Sequence, residues 1–531
     1  MYNKSRMRKG LTALTVSLMM LPTASMAAEK AKNIILMIGD GMGPQQMGLL
    51  ESYARMAPSS IYKGQKTAMQ QLADDGHMGL SLPNPAGALV VDSASSASQL
   101  ATGIPAPSEA LGVDPQGNSV ETILEKAKRM GKATGLISDT RLTHATPAAF
   151  AAHQPHRSLE NEIAAQMLEN GVDVMLSGGI RHWIPQVANE KGAVYKQLVD
   201  MTGGTVKIKS KRKDNRNLLL EAKDAGYDLA FNRNALEKAN GDKLLGLFSY
   251  SGMLDGIAYS NSKNSRERTQ PSLKEMTVKA LDILSQDEDG FFLMVEGGQI
   301  DWAGHNNDAG TMLHELLKFD EAVDAVRQWA ADRDDTLVVV TADHETGSFG
   351  FSYSASNLPK ASKLPGKVFA ERDFKPNFNF GAPEILDNLY NQKKSFYGMI
   401  SAYNGIPKAE RTPATLAKVV NENSSFDIDE RAAARILTKA PNPYQVDGHK
   451  YMATKTLPKV NDFRAFFVYG DEIQMNLLAR ELAEKQNTVW GTGTHTSTPV
   501  AVIAHGDDDL IKAFGGIKHH TDIGKILISA L

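Results

Sequence analysis

The sequence predicts an α/β fold, with a central, mostly parallel sheet sandwiched by helices and large loop insertions. Three observations predict it. Short apolar runs recur along the 531 residues, each about the length of a buried parallel strand. Stretches with helical periodicity separate most of them. Polar residues with catalytic or metal-binding chemistry stand just after the runs, where open α/β sheets bind ligands.

Taken in order, the apolar runs are Ile34–Ile38, Leu89–Val91, Ala133–Ile137, Val172–Leu176, Phe291–Val295, Leu337–Val340 and Pro499–Ala504. Helical patterns run over Ser119–Met130, Ser158–Asn170, Ser272–Leu284 and Thr311–Ala331. Two regions break the rhythm. Residues 180–270 are polar and mixed. Residues 351–460 hold many Pro, Asn, Lys and aromatic residues with weak periodicity. Both stand between core strands, so they read as insertions in one domain spanning residues 28–531. No internal repeat is evident.

The first residues read as a signal peptide. Lys4, Arg6, Arg8 and Lys9 form a basic start, and Leu11–Leu21 is apolar but too short to span a bilayer comfortably. Ser25-Met26-Ala27 is a small-x-small cleavage signal, so the mature chain is expected to begin at Ala28. That leader implies a periplasmic or secreted protein. No later apolar run reaches 18 residues, so no membrane partner is expected after cleavage.

Composition narrows the function classes. The chain is 42% hydrophobic and 22% charged, as soluble globular proteins are. Its formal charge is −3. Removing the leader's four basic residues leaves 54 basic against 61 acidic groups, or −7. A mildly acidic chain argues against nucleic acid as a specific partner. The basic run from Lys207 to Lys213 reads as a solvated surface loop. There is no cysteine, so no thiol serves as nucleophile or zinc ligand. Any metal site must use His, Asp, Glu and hydroxyl groups.

Such groups cluster at five strand ends. Asp40 follows the first run in I-G-D-G-M-G. Asp92 and Ser93 follow Leu89–Val91. Thr143-His144-Ala145-Thr146 comes shortly after Ala133–Ile137. Glu296 follows Phe291–Val295, and Asp343-His344 follows Leu337–Val340. In D-W-A-G-H, the i, i+4 spacing puts Asp301 and His305 on one face of a helical turn, suited to one cation. His495, in G-T-G-T-H-T-S-T, fits as a third ligand. Two His and one carboxylate leave an open position, the pattern of a catalytic zinc. Arg157, in A-H-Q-P-H-R, carries a guanidinium fork that can hold two phosphate oxygens. Ser93 is placed where a helix begins. An N-capping role and a nucleophilic role both fit there.

Together these motifs resemble the alkaline phosphatase family, and in particular the cold-active bacterial type known from marine Vibrio. The resemblance runs from N-I-I-L-M-I-G-D-G-M-G-P through D-T-R-L-T-H-A-T-P-A-A-F-A-A-H, M-V-E-G-G-Q-I-D-W-A-G-H and V-T-A-D-H-E-T-G to G-T-G-T-H-T. It implies two Zn2+ and one Mg2+ per chain. One zinc would sit on Asp301, His305 and His495. The second would sit on Asp40, Asp343 and His344 beside Ser93. Magnesium would sit on Asp40, Thr146 and Glu296, and Arg157 would clamp the phosphate. The implied reaction is hydrolysis of small-molecule phosphate monoesters through a phosphoserine on Ser93. Asp92, His144 and Trp302 are expected to touch the metal ligands or the substrate, and family members vary at His144 and Trp302. A homodimer is also implied, and the length and aromatic content of the insertion near 351–435 make it the expected arm across the interface.

Two other hydrolase readings share the superfamily. A sulfatase needs its modified residue followed by x-Pro-x-Arg, and Ser93 is followed by Ala94-Ser95-Ser96-Ala97. A phosphodiesterase fits less well, because Arg157 suits a dianionic monoester. A binding protein for phosphate or zinc would have no use for Ser93 at the metal cluster.

Overall fold

The computed structural model describes residues 30–531. The leader expected at residues 1–27 lies outside the described residues. Ten strands form one sheet. Eight are β1 (Asn33–Gly39), β2 (His77–Leu82), β3 (Ala133–Arg141), β4 (Val174–Gly178), β5 (Asp228–Ala230), β6 (Leu244–Leu247), β7 (Phe291–Gly297) and β8 (Thr336–Thr341). The other two are Val500–His505 and Gly516–His519. The order across the sheet is Gly516–His519, β2, Val500–His505, β8, β1, β7, β3, β4, β6, β5. Every pairing from β8 to β5 is parallel. Val500–His505 runs antiparallel to both of its neighbours, against the expectation of a parallel strand there.

The apolar runs work because both faces are covered. Along β1, Ile35 and Met37 enter one core, while Ile34, Leu36 and Ile38 enter the other. β7 alternates likewise, with Phe291, Leu293 and Val295 opposite Phe292 and Met294. The period-2 geometry of a strand sends successive side chains to opposite faces. Helices Leu273–Leu284 and Ala309–Ala330 cover the first face; Ser93–Thr102, Ile123–Arg129, Glu160–Asn170 and His520–Ala530 cover the second. Among the described residues no helix is long and apolar enough to cross a membrane.

Three sequence expectations need correction. Leu89–Val91 is not a strand. Leu89 and Val90 are 79% and 46% exposed, and the segment is a bend that follows Pro83 and Pro85. A three-residue apolar run supplies too few ladder hydrogen bonds without a partner strand. The strand in that part of the chain is β2, which sequence reading misses because its pattern is inverted. Met78 and Leu80 are 48% and 40% exposed, whereas Ser81 is buried and bonded to His520 Nδ1 at 2.5 Å. Region 180–270 is not wholly insertion, because β5 and β6 from it extend the sheet edge. Within 351–460, four helices between Glu384 and Leu437 bury Leu389, Phe396, Leu416 and Ile436 in the first core. Residues 352–381 form an exposed excursion joined by isolated bridges at Ser354–Asn379 and Ser362–Phe374, and residues 439–459 are largely exposed as well.

Buried ion pairs tie the layers together beneath the strand ends. Lys318 Nζ lies 2.9 Å from Asp139 at the end of β3 and 2.5 Å from Glu315. Asp139 also accepts from the Gly298 amide at 2.7 Å, which fixes the turn from β7 into helix Gln299–His305. Burial pushes the Glu315 carboxyl up to about 7, against the pull of Lys318. Removing one partner of such a cluster strands a buried charge. Lys318→Met is therefore expected to lower unfolding free energy by about 3–5 kcal/mol, read from urea denaturation. A loss below 1 kcal/mol would show that the cluster is not coupled to the fold.

A second pair can be read by pH. Burial pushes Glu160 up, but the Arg141 guanidinium outweighs it and holds the carboxyl at about 2, from an ordinary value of 4.5. His182 beside it is held down to about 4 by burial and is neutral at pH 7. A depressed carboxyl gives stability that is present above the unfolded value and lost as pH falls toward the folded one. The destabilisation by Glu160→Gln is expected to be about 3 kcal/mol at pH 6 and to shrink steadily between pH 4.5 and pH 2. A difference that stays constant across that range contradicts the assignment.

Candidate active site

The strand ends converge on one buried cluster. Asp40 follows β1, Glu296 closes β7, and Asp343-His344 follows β8. Gly41 explains the G-D-G turn. Its φ is +76°, a β-carbon there would meet the Asp301 backbone at 2.7 Å, and its amide donates to Asp343 Oδ1 at 3.0 Å. Helix Gln299–His305 presents Asp301 and His305 one turn apart, as the spacing predicts.

Ser93 resolves the ambiguity of the sequence. Asp92, not Ser93, caps the helix Ser93–Thr102, accepting from the Ala94 amide at 3.0 Å. Ser93 is the first helical residue, so its hydroxyl is released from capping. Its Oγ lies 3.2 Å from His344 Nε2 in a buried position. Asp92 also accepts from Arg157 Nη1 at 3.2 Å, while Arg157 Nη2 lies 3.2 Å from His144 Nε2. The guanidinium is thus held at the mouth beside Ser93.

Among the described residues, three groups of side chains offer ligand atoms within 4.8 Å of one another: Asp301, His305 and His495; Asp40, Asp301 and His344; Asp40, His144 and Glu296. Asp343 joins the second, with Oδ2 3.1 Å from His344 Nε2. Thr146 Oγ1 lies 3.4 Å from Asp40 Oδ2 beside the third. His144 Nδ1 faces Glu296 at 3.9 Å, which makes the ring a candidate ligand as well as a neighbour of Arg157. Trp302 stands behind His144. It meets His144 edge-on at 6.0 Å and lines a cavity of about 460 Å³ with Asp255 and Glu472. A β-carbon on Gly252 would come within 2.4 Å of the Trp302 ring, so only glycine fits beneath it. The acidic lining of that cavity does not suit a phosphate.

The orientation of the imidazoles is fixed from outside. His305 Nδ1 donates to the Gly493 carbonyl at 2.7 Å, and His495 Nδ1 donates to Val91 at 2.8 Å. In their neutral forms both Nε2 atoms carry lone pairs, and these atoms face each other at 3.2 Å, with Asp301 Oδ1 at 3.3 and 3.5 Å, an arrangement that calls for a proton or a cation between them. Burial pushes the His305 pKa down, but Asp301 and Glu472 overcome it and raise the imidazole to about 10. A site that so favours a proton favours a cation. Burial, then the neighbouring Asp343, Asp301 and Glu296, pushes Asp40 well above the usual carboxylate range. Asp40 Oδ1, His144 Nδ1, Glu296 Oε1 and Asp343 Oδ2 are all buried without a hydrogen-bond partner.

Several supporting residues escaped the sequence reading. Thr346 Oγ1 donates to Asp301 Oδ1 at 2.6 Å. Ser96 Oγ and His520 Nε2 both hold the Asp343 carbonyl, at 2.7 and 2.9 Å. Ser138 bonds Glu296. Hydroxyls and a single His carry no spacing signal, so nothing in the sequence distinguishes them from ordinary core residues. Ser95 and Ser98 likewise bond carbonyls, of Ala106 and Ala110, beyond giving a close helix approach.

Comparison with known proteins agrees with this geometry. The alkaline phosphatase family profile matches residues 31–531. Alkaline phosphatase 3 of Bacillus subtilis is 31% identical over 510 residues, covering 95% of this chain and 89% of its own. The crystal structure of Thermus thermophilus alkaline phosphatase superposes with a TM-score of 0.73 at 25% identity, covering 95% of this chain and 92% of its own. That of the cold-active alkaline phosphatase from a psychrophilic Shewanella gives 0.65 at 25% identity, covering 94% and 99%. The strand ends, the buried carboxylate and imidazole groups and the match along the whole described chain lead to one conclusion: the chain belongs to the alkaline phosphatase family of metal-dependent phosphate-monoester hydrolases.

Proposed function

We propose that hydrolysis proceeds through a covalent phosphoserine on Ser93, with two zinc ions and one magnesium ion per chain. The carrying observation is the release of Ser93 from capping by Asp92, which leaves its buried hydroxyl 3.2 Å from His344 Nε2. The donor set fits cations. Buried acceptors without partners, and two imidazole Nε2 atoms facing one another, are costly unless a positive charge lies between them. Asp301, His305 and His495 would hold one zinc; Asp40, Asp343 and His344 the other. Asp40, Thr146 and Glu296 would hold magnesium, with His144 Nδ1 positioned to join them. When bound, the cations lower the pKa of the serine hydroxyl and of water and neutralise charge on the reacting oxygens.

The chain's own residues supply orientation. Ser93 stands at the N-terminus of a ten-residue helix, whose dipole favours both the serine alkoxide and the phosphate. Arg157, pinned by Asp92, presents its fork to two phosphoryl oxygens. The Ser93 Oγ–P bond forms as the P–O bond to the alcohol breaks, and the alcohol departs with a proton. Water then attacks the phosphoserine, returning the Ser93 hydroxyl and releasing inorganic phosphate. Nothing in the site recommends the diesterase or sulfatase alternative. The leader expected at residues 1–27 supports a periplasmic or secreted location.

We propose further that the protein is a homodimer and that residues 352–381 are the arm that joins it. This narrows the expected arm, since 384–437 pack into the core. Val368 at 90% exposure, Phe380 and the Tyr353–Phe378 pair at 5.3 Å place apolar surface on that excursion, which supports an interface. Replacing 352–381 by a short Gly-Ser linker is expected to shift light-scattering mass toward the monomer. An unchanged dimer would remove the arm from the interface.

Activity gives the direct check. With p-nitrophenyl phosphate at alkaline pH, Ser93→Ala is expected to lose about a thousand-fold or more in kcat. Chelation should abolish turnover, and zinc with magnesium should restore it. Full activity in the variant, or indifference to chelation, is incompatible with the proposal.

A further inference from the structure

Tyr469 borders the site at His305. Its ring meets His305 edge-on, with centroids 5.1 Å apart at 90°. His305 belongs with Asp301 and His495, whereas Ser93 faces His344. In an in-line displacement at phosphorus, the leaving oxygen departs opposite the attacking one. Attack by Ser93 from the His344 side therefore sends the alcohol out over Asp301, His305 and His495, past Tyr469.

An aromatic surface continues outward from that point. Tyr451 packs edge-on against Tyr469, with centroids 5.0 Å apart at 88°, and Lys450 Nζ lies 4.8 Å from the Tyr451 ring centroid. Tyr469 is half-buried and Tyr451 is exposed. The same stretch leaves Tyr444, Phe463 and Phe466 exposed as well. Aromatic rings are usually buried for their apolar area, and a pair left open beside a reaction centre offers edges and faces to another ring.

Resting on the monoesterase reading above, we propose that Tyr469 and Tyr451 form a leaving-group subsite. It favours phosphate monoesters whose alcohol carries a planar ring, aryl or nucleoside, over those of small aliphatic alcohols. Edge-to-face and offset-stacked pairs contribute enough for a preference of about three- to ten-fold. A residue that merely buttressed His305 would slow the aliphatic ester at least as much as the aromatic ones.

The zinc- and magnesium-loaded protein is assayed on p-nitrophenyl phosphate, adenosine 5′-phosphate and glycerol phosphate, as wild type, Tyr469→Leu, Tyr469→Phe and Tyr451→Leu. In both Leu variants the ratio of aromatic to aliphatic kcat/KM is expected to fall about three- to ten-fold. Tyr469→Phe, which keeps the ring, should keep the ratio. Tyr451 does not stack on His305, so its variant reads the subsite even if Tyr469→Leu disturbs that imidazole. An unchanged ratio, or equal losses on all three esters, overturns the subsite. Absence of turnover by the wild type on any ester overturns the monoesterase reading itself.

Discussion

Mutual repulsion among buried carboxylates is the constraint on which the rest of the site depends. Asp40, Glu296, Asp301 and Asp343 are all buried, and Asp40 feels the other three. A folded chain tolerates such a concentration only where positive charge and hydrogen-bond donors answer it. The Gly41 amide, the Thr346 hydroxyl and the His305 imidazole answer part of it. The orphaned oxygens mark the part left over for cations.

The fold makes that arrangement rigid. Parallel strands buried on both faces bring β1, β7 and β8 side by side, so three carboxyl ends lie adjacent. Helix Ser93–Thr102 approaches the same edge, and its small residues hydrogen-bond directly to what they touch. Ser96 holds the Asp343 carbonyl, which His520 grips from another helix. The supporting shell therefore comes from segments hundreds of residues apart, a common way to position a reactive group within narrow limits.

Much of this was legible in the sequence, for physical reasons. Fully buried strands announce themselves as unbroken apolar runs, and Asp301 and His305 share a helical face by spacing alone. What failed to show was whatever depends on an unseen neighbour. β2 turns Met78 and Leu80 outward and Ser81 inward because His520 waits for that serine. Leu89–Val91 has strand composition and no strand to pair with. Whether Ser93 caps or reacts turns on a one-residue shift that puts Asp92 at the cap. The helices between Glu384 and Leu437 are short and bury only a few residues each, so their periodicity is weak. Thr346 and Tyr469 belong to the site only through contacts that no local pattern encodes.

The central claim is that the cluster is built around cations. Equilibrium dialysis against zinc and magnesium, followed by elemental analysis of the protein, tests it most directly. The account predicts about three tightly held cations per chain, one for each group of converging ligands. Fewer than two, with the chain folded and its histidines intact, would contradict it.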